Sequence, residues 1–217
     1  MQLNFKYDIR EDAENIKIAK NRFSGSKTYD LVVKKYGENF TEEQIYYFIN
    51  DYLKENEINP EERLKIIEQQ WNKISDAFFK KAEEIFKIKL PYDFVNVYLT
   101  ISHCCSYSIQ KKLFFVNIAS ESSNRIIMHE LLHFYTWEVS GREIKEKNIL
   151  SEEKYYDLKE SLTELLNIEF KDLLNKGERD AGYTPHQEIR SLIKKWWTND
   201  KDIKKIIDKT IDYLKNK

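Results

Sequence analysis

Two histidines four residues apart with a glutamate beside the first, His129-Glu130-Leu131-Leu132-His133, are the residues of this chain best placed to do chemistry. On an α-helix, positions i and i+4 stand one above the other, about 6 Å apart along the axis, so both imidazoles leave from one face. Two rings at that spacing can converge on one Zn²⁺ ion, each at roughly 2.0–2.1 Å. Glu130 sits about 100° round the helix. From there its carboxylate can reach a water on the ion without taking a coordination position. The chemistry implied is hydrolysis, in which the ion acidifies a water and the carboxylate takes its proton. Only four histidines occur in 217 residues, and two are in this pentapeptide. The uncharged Ile126, Ile127, Leu131, Leu132, Phe134 and Tyr135 surround it, so the helix is expected to be buried on most sides, where imidazoles need a partner. The alternative is an amphipathic helix whose histidines are only hydrogen-bonded in a core.

An H-E-x-x-H helix with uncharged flanks resembles that of the zincin metallopeptidases. The metzincin branch carries Gly and His three and six residues after the second histidine. Here those positions hold Thr136 and Val139, and no Gly-Thr-x-x-x-Asp lies downstream. Instead the chain carries Asp157-Leu158-Lys159-Glu160-Ser161-Leu162-Thr163-Glu164-Leu165-Leu166, which resembles the second helix of the gluzincins, the group that includes thermolysin. The resemblance implies Glu160 as the third metal ligand. It implies Glu164, where that group more often has Asp, as the acid hydrogen-bonded to a liganding histidine. A carboxylate on the far ring nitrogen fixes the tautomer of such a histidine, and residues i and i+4 share a helix face. The roles of Glu160 and Glu164 could be exchanged, and the alternative for both is a solvated helix face. The resemblance spans roughly residues 92–190.

Downstream, Arg179-Asp180-Ala181-Gly182-Tyr183-Thr184-Pro185-His186 is the one loop that combines Gly, Tyr, Pro and His. Gluzincins place a Tyr and a His opposite the metal, so the resemblance implies Tyr183 and His186 as donors to the oxyanion, a role that can contribute several kcal/mol. Arg190 could anchor a substrate carboxylate, and His186 is a further option as third ligand. The alternative is a plain turn before a helix.

The elements that must position these groups are legible from periodicity and punctuation. Leu3 to Tyr7 alternates like a short strand, and Ser24-Gly25-Ser26 and Gly37-Glu38-Asn39 are turn signals. Thr41-Glu42-Glu43-Gln44 is a capping box that opens a helix to about Lys54. Asn59-Pro60-Glu61-Glu62 opens another. Leu64, Ile67, Trp71, Ile74, Phe78, Ala82 and Ile85 then recur at three- and four-residue steps, predicting one long helix almost to Leu90-Pro91. Residues 93–101 and 113–118 read as strands. In the zincins the last strand before the metal helix pairs with an extended peptide substrate. Ser122, Ser123 or Asn124 is expected to cap the metal helix and Ser140-Gly141 to end it. Ile189 to Leu214 reads as one or two amphipathic helices broken at Asn199-Asp200, with Trp196-Trp197 as a packing anchor.

The fold expected is α+β and predominantly α-helical: a zincin-like catalytic core with a small sheet before the H-E-x-x-H helix and a helical N-terminal extension. Residues 1–90 form the mostly helical region and 91–217 the catalytic region, together one compact body. Lys and Arg number 36 against 37 Asp and Glu, a net charge of −1, which implies no global attraction to nucleic acid or an anionic membrane. The N-terminus has no apolar signal segment, and no apolar run approaches the roughly 18 residues of a membrane span, so a cytoplasmic location is expected. Cys104 and Cys105 are adjacent and the chain has no other cysteine, which suits a reducing compartment. His103-Cys104-Cys105 reads as strand-end packing rather than a metal cluster, because structural zinc sites space their ligands. The function expected is a Zn²⁺-dependent peptidase acting on a peptide or protein substrate. The competing readings are a catalytically silent zincin-like binding or regulatory module, and a helical interaction domain without metal.

Overall fold

Val95, Val97 and Leu99 fall on alternate positions of one apolar segment, and all three are fully buried, as a strand inside a sheet requires. The computed structural model describes residues 1–21 and 27–217, so the turn expected at Ser24-Gly25-Ser26 lies outside the described residues. In chain order the main elements are β1 (Gln2–Lys6), α1 (Ile9–Ile18), α2 (Lys27–Tyr36), α3 (Glu42–Glu55), α4 (Pro60–Asn72), α5 (Ser75–Phe86), β2 (Phe94–Thr100), β3 (Tyr107–Ser108), β4 (Leu113–Asn117), α6 (Ser123–Thr136), α7 (Arg142–Glu146), α8 (Glu152–Leu162), α9 (Glu164–Glu169), α10 (Gln187–Asn199) and α11 (Ile203–Lys215). The class is α+β, mostly helical with one small mixed sheet. No helix among the described residues is long and apolar enough to cross a membrane. The chain divides into two compact units, Met1–Asn72 with Pro91–Ser123, and Lys73–Leu90 with Asn124–Lys217. These limits differ from the expected split at residue 90: the strands after Pro91 belong with the N-terminal helices, and α5 belongs with the C-terminal ones.

In the first unit the sheet order is β1-β2-β4-β3, with β1 and β4 parallel to β2 and β3 antiparallel to β4. Leu3 pairs in register with Val95, and Val97 with Phe114. Helix α1 starts at Asp8, whose carboxylate accepts from the Arg10 amide, and packs Ala13 and Ile16 into the core. It also brings Asp12 and Asn15 to the C-terminal end of β2. Asp12 accepts from the Thr100 hydroxyl and the Ile101 amide. Asn15 donates to the Cys104 carbonyl at 2.8 Å and accepts from the Ser106 hydroxyl at 2.6 Å. The loop holding His103, Cys104 and Cys105 is thus moored by buried polar groups, and both cysteines are half-buried thiols. The capping box of α3 forms with both reciprocal bonds, and Asn59 caps α4.

The single long helix expected from Pro60 to about Leu90 is two helices. The chain breaks at Asn72-Lys73-Ile74, where Ile74 has φ −120° and ψ −11°. Ile67 and Trp71 are buried in one unit's core and Phe78, Ala82 and Phe86 in the other's. Both halves are amphipathic and the break preserves the step, so periodicity alone runs through it.

In the second unit Phe78 packs on Phe170 at 5.1 Å and Phe86 stacks on Tyr135 at 5.0 Å between ring centroids, fixing α5 against α9 and α6. Helix α6 does not end at Ser140-Gly141. It passes through a π-helical stretch over Trp137–Gly141 and continues as α7. Gly141 has helical φ −60° and ψ −39°. It serves close approach instead: a Cβ there would meet the Tyr155 hydroxyl and lie 2.8 Å from the Trp137 ring. Helices α10 and α11 separate at Asp200, and Trp197 is buried with its indole N–H on Glu169 at 2.7 Å.

Candidate metal centre

Ile127, Met128, Leu131, Leu132, Phe134 and Tyr135 are all buried, so the part of α6 that carries the motif is held from several sides and its remaining face is fixed in direction. That face presents His129 and His133, ring centroids 4.7 Å apart. Helix α8 brings Glu160 to them. Glu160 Oε2 lies 3.3 Å from His129 Nε2, and Oε1 lies 3.4 Å from His133 Nε2. The three donor atoms fall within 4.8 Å of one another, and this is the one such cluster among the described residues. Donors about 2.05 Å from a tetrahedral zinc stand about 3.3–3.4 Å apart, and each ring nitrogen has that spacing to one of the two Glu160 oxygens. Glu160 is 5 % exposed, and its Oε2 makes no hydrogen bond, so a lone pair of a buried carboxylate is aimed where a cation would satisfy it. The residues present therefore fit a zinc-type ion. Glu130, 5 % exposed, is carried by the same buried stretch of helix.

The acid behind His129 is Asp180, at 3.1 Å from Nδ1, and not Glu164. Glu164, expected to meet a liganding histidine, does not; it lies beyond Thr163, where α8 gives way to α9. Glu164 turns to Arg190, at 2.8 Å. The Thr163 hydroxyl stands 2.7 Å from both the Glu160 carbonyl and Asp180 Oδ2. Asp180 is held on all sides: its amide donates to Asn167 Oδ1 at 2.8 Å, and its carbonyl accepts from Asn167 and from Arg190. Arg190, 2 % exposed, also donates to Thr163 and to the Glu160 carbonyl. Its guanidinium is spent on orienting Asp180 and the end of α8, which removes the expected role as an anchor for a substrate carboxylate. Gly182, at φ +62°, lets the loop pass over that guanidinium, since a Cβ there would lie 2.7 Å from Nη1.

These contacts push the two rings in opposite directions. Burial alone would lower His129, but the Asp180 and Glu160 carboxylates beside it outweigh it and raise the ring to about 10. Burial, helped by Lys159, lowers His133 to about 3, so that ring is a neutral imidazole. Burial would raise Asp180, and His129, Arg190 and Thr163 reverse this and hold it below the usual carboxylate range.

No protein-family model, curated protein or solved structure matches this chain. What the site can do rests on its geometry.

The two aromatic candidates of the downstream loop part company. His186 is buried, with Nε2 2.9 Å from Asp157 Oδ1 and its ring flanked by Tyr156 and Tyr183. It pairs with Asp157 and does not join the donor cluster, so Glu160 and not His186 is the third member. Tyr183 is 43 % exposed, is paired with Tyr156 and lies in the field of Glu160 and Glu130. Burial of its hydroxyl, then those carboxylates, push the phenol well above its ordinary value. Sequence reasoning missed Asp180 and Lys159. The signal for Asp180 was available: a liganding histidine needs an acceptor on its second nitrogen, and Asp180 is the acid of the loop already singled out. Lys159 gave no signal, being one of many lysines on helices.

Proposed function

We propose that this chain is a zinc-dependent peptidase of gluzincin-like arrangement, in which His129, His133 and Glu160 hold the ion. The observation that carries the reading is that one ligand atom from each of the three residues lies within 4.8 Å of the other two, with a carboxylate one residue along the same helix. Bound zinc would supply Lewis acidity, lowering the pKa of a water toward about 7 and polarising a carbonyl. Glu130 would take the proton of an attacking water as the water oxygen bonds to the peptide carbonyl carbon and the carbonyl π-pair moves onto the carbonyl oxygen. As the C–N bond breaks, Glu130 returns the proton to the leaving nitrogen. Asp180 on Nδ1 orients His129 and raises its basicity toward a cation. Tyr183, whose phenol stays protonated in the field of Glu160 and Glu130, would donate to the developing oxyanion.

A site that only stored or structurally held zinc would be expected to offer four protein ligands and no neighbouring base. Three donors with Glu130 adjacent favour catalysis over a silent binding module. The test is Glu130→Gln on a peptide-library digest read by mass spectrometry. Metal content is expected to stay at the wild-type level while cleavage falls at least about a hundredfold, the lower range for loss of a general base. Cleavage at the wild-type rate by the variant would reject the mechanism.

A further inference from the structure

Lys159 is a cation where a metal site would be expected to exclude one. It is 7 % exposed, and its ammonium contacts Glu160 Oε1, the same oxygen that lies 3.4 Å from His133 Nε2. Its Nζ also sits 4.4 Å from the centre of the Tyr156 ring, and Tyr156 is paired with Tyr183. The cation is thus lodged beside the donor triad, between a liganding carboxylate and an aromatic face, and is not extended to solvent. Burying an ammonium is costly, and setting it next to a divalent ion adds repulsion. Nothing in holding the ion requires that. The arrangement becomes favourable when a further negative charge enters the site, because two cations then face it in a poorly solvated setting. Addition of water to a peptide carbonyl creates one such charge on the former carbonyl oxygen.

We propose that Lys159 is a catalytic residue of this site: its ammonium and the ion together form a subsite for the anionic oxygen of a tetrahedral adduct. The inference rests on the proposed metal site and deepens it. Tyr156, through the face it offers Lys159 and its pairing with Tyr183, positions both donors on one side of the site.

The probe is methylphosphonate, a small tetrahedral anion, titrated into the full chain loaded with Co²⁺ and followed by the visible absorption of the ion. Wild type is expected to bind it, and Lys159→Met to load Co²⁺ equally but bind the anion roughly 10- to 100-fold more weakly, the range of one charge-assisted hydrogen bond. Lys159→Arg, which keeps the charge, is expected to recover most of the affinity. Should the Met variant not fold, Lys159→Gln keeps a donor toward Glu160 without the charge and reads the same loss. Equal anion affinity in wild type and a charge-free variant that both carry Co²⁺ overturns this inference alone. Loss of Co²⁺ from a folded charge-free variant also overturns it, and makes Lys159 a support of Glu160. A wild-type chain that takes up no metal overturns the functional reading and this one with it.

Discussion

At the scale of single residues, the site is a set of carboxylates with different tasks assigned by their neighbours. Glu160 offers a buried oxygen with no hydrogen bond, the Asp180 carboxylate is taken up by His129, Thr163 and Arg190, and Glu164 is tied to Arg190. Only the first is left with a lone pair to give to a cation. Asp180 acts through His129, fixing which nitrogen faces the site. Replacing Asp180 by Asn keeps the volume and removes the charge. Zinc affinity, measured by competition with a chelator, is expected to fall roughly 10- to 100-fold, the usual effect of losing an orienting acid behind a ligand. An unchanged affinity would mean that the 3.1 Å contact has no bearing on the ion.

At the scale of elements, two interruptions decide the geometry. Glu164 lies beyond the break at Thr163 and turns to Arg190. The π-helical stretch after α6 lets Gly141 meet Tyr155 closely. Gly141→Ala is expected to destabilise the protein by about 2–3 kcal/mol, because the methyl enters space held by Tyr155 and Trp137. Tyr155→Phe should relieve part of this, so a double-mutant cycle by urea denaturation should show coupling between the two positions. Simple additivity would contradict the packing account. These interruptions also mark the limit of what the sequence discloses. Leu3 to Tyr7, residues 93–101 and residues 113–118 were legible as strands because alternation with β-branched and aromatic residues is a local property. The motif on α6 was legible because i, i+4 spacing is local too. The break between α4 and α5, the continuation past Gly141 and the choice of Asp180 over Glu164 all depend on packing partners distant in sequence, and no local pattern encodes those. His186 shows the same limit: its residue type suggested a ligand, and Asp157, twenty-nine residues away, claims it.

At the scale of the whole molecule, each unit is closed around a buried polar cluster as well as an apolar core. In the first unit Asp12 is fully buried, and burial lifts its carboxyl to about 7 despite the bonds from Thr100 and Ile101. A carboxyl that holds its proton more tightly when folded than when unfolded stabilises most below the unfolded value, and that contribution is lost as pH rises through the folded one. Stability is therefore expected to decline between about pH 4 and pH 7, by as much as a few kcal/mol at about 1.4 kcal/mol per pH unit. Asp12→Asn should flatten that decline in thermal melts across the same range, and an unchanged slope would show that Asp12 does not carry it. The second unit holds every residue of the proposed metal centre. Native mass spectrometry of the full chain after exposure to Zn²⁺ tests that centre most directly. One zinc per chain is expected in wild type and in Glu164→Ala, and none in His133→Ala or Glu160→Ala. A wild-type chain without zinc, or zinc kept by both ligand variants, would contradict the account.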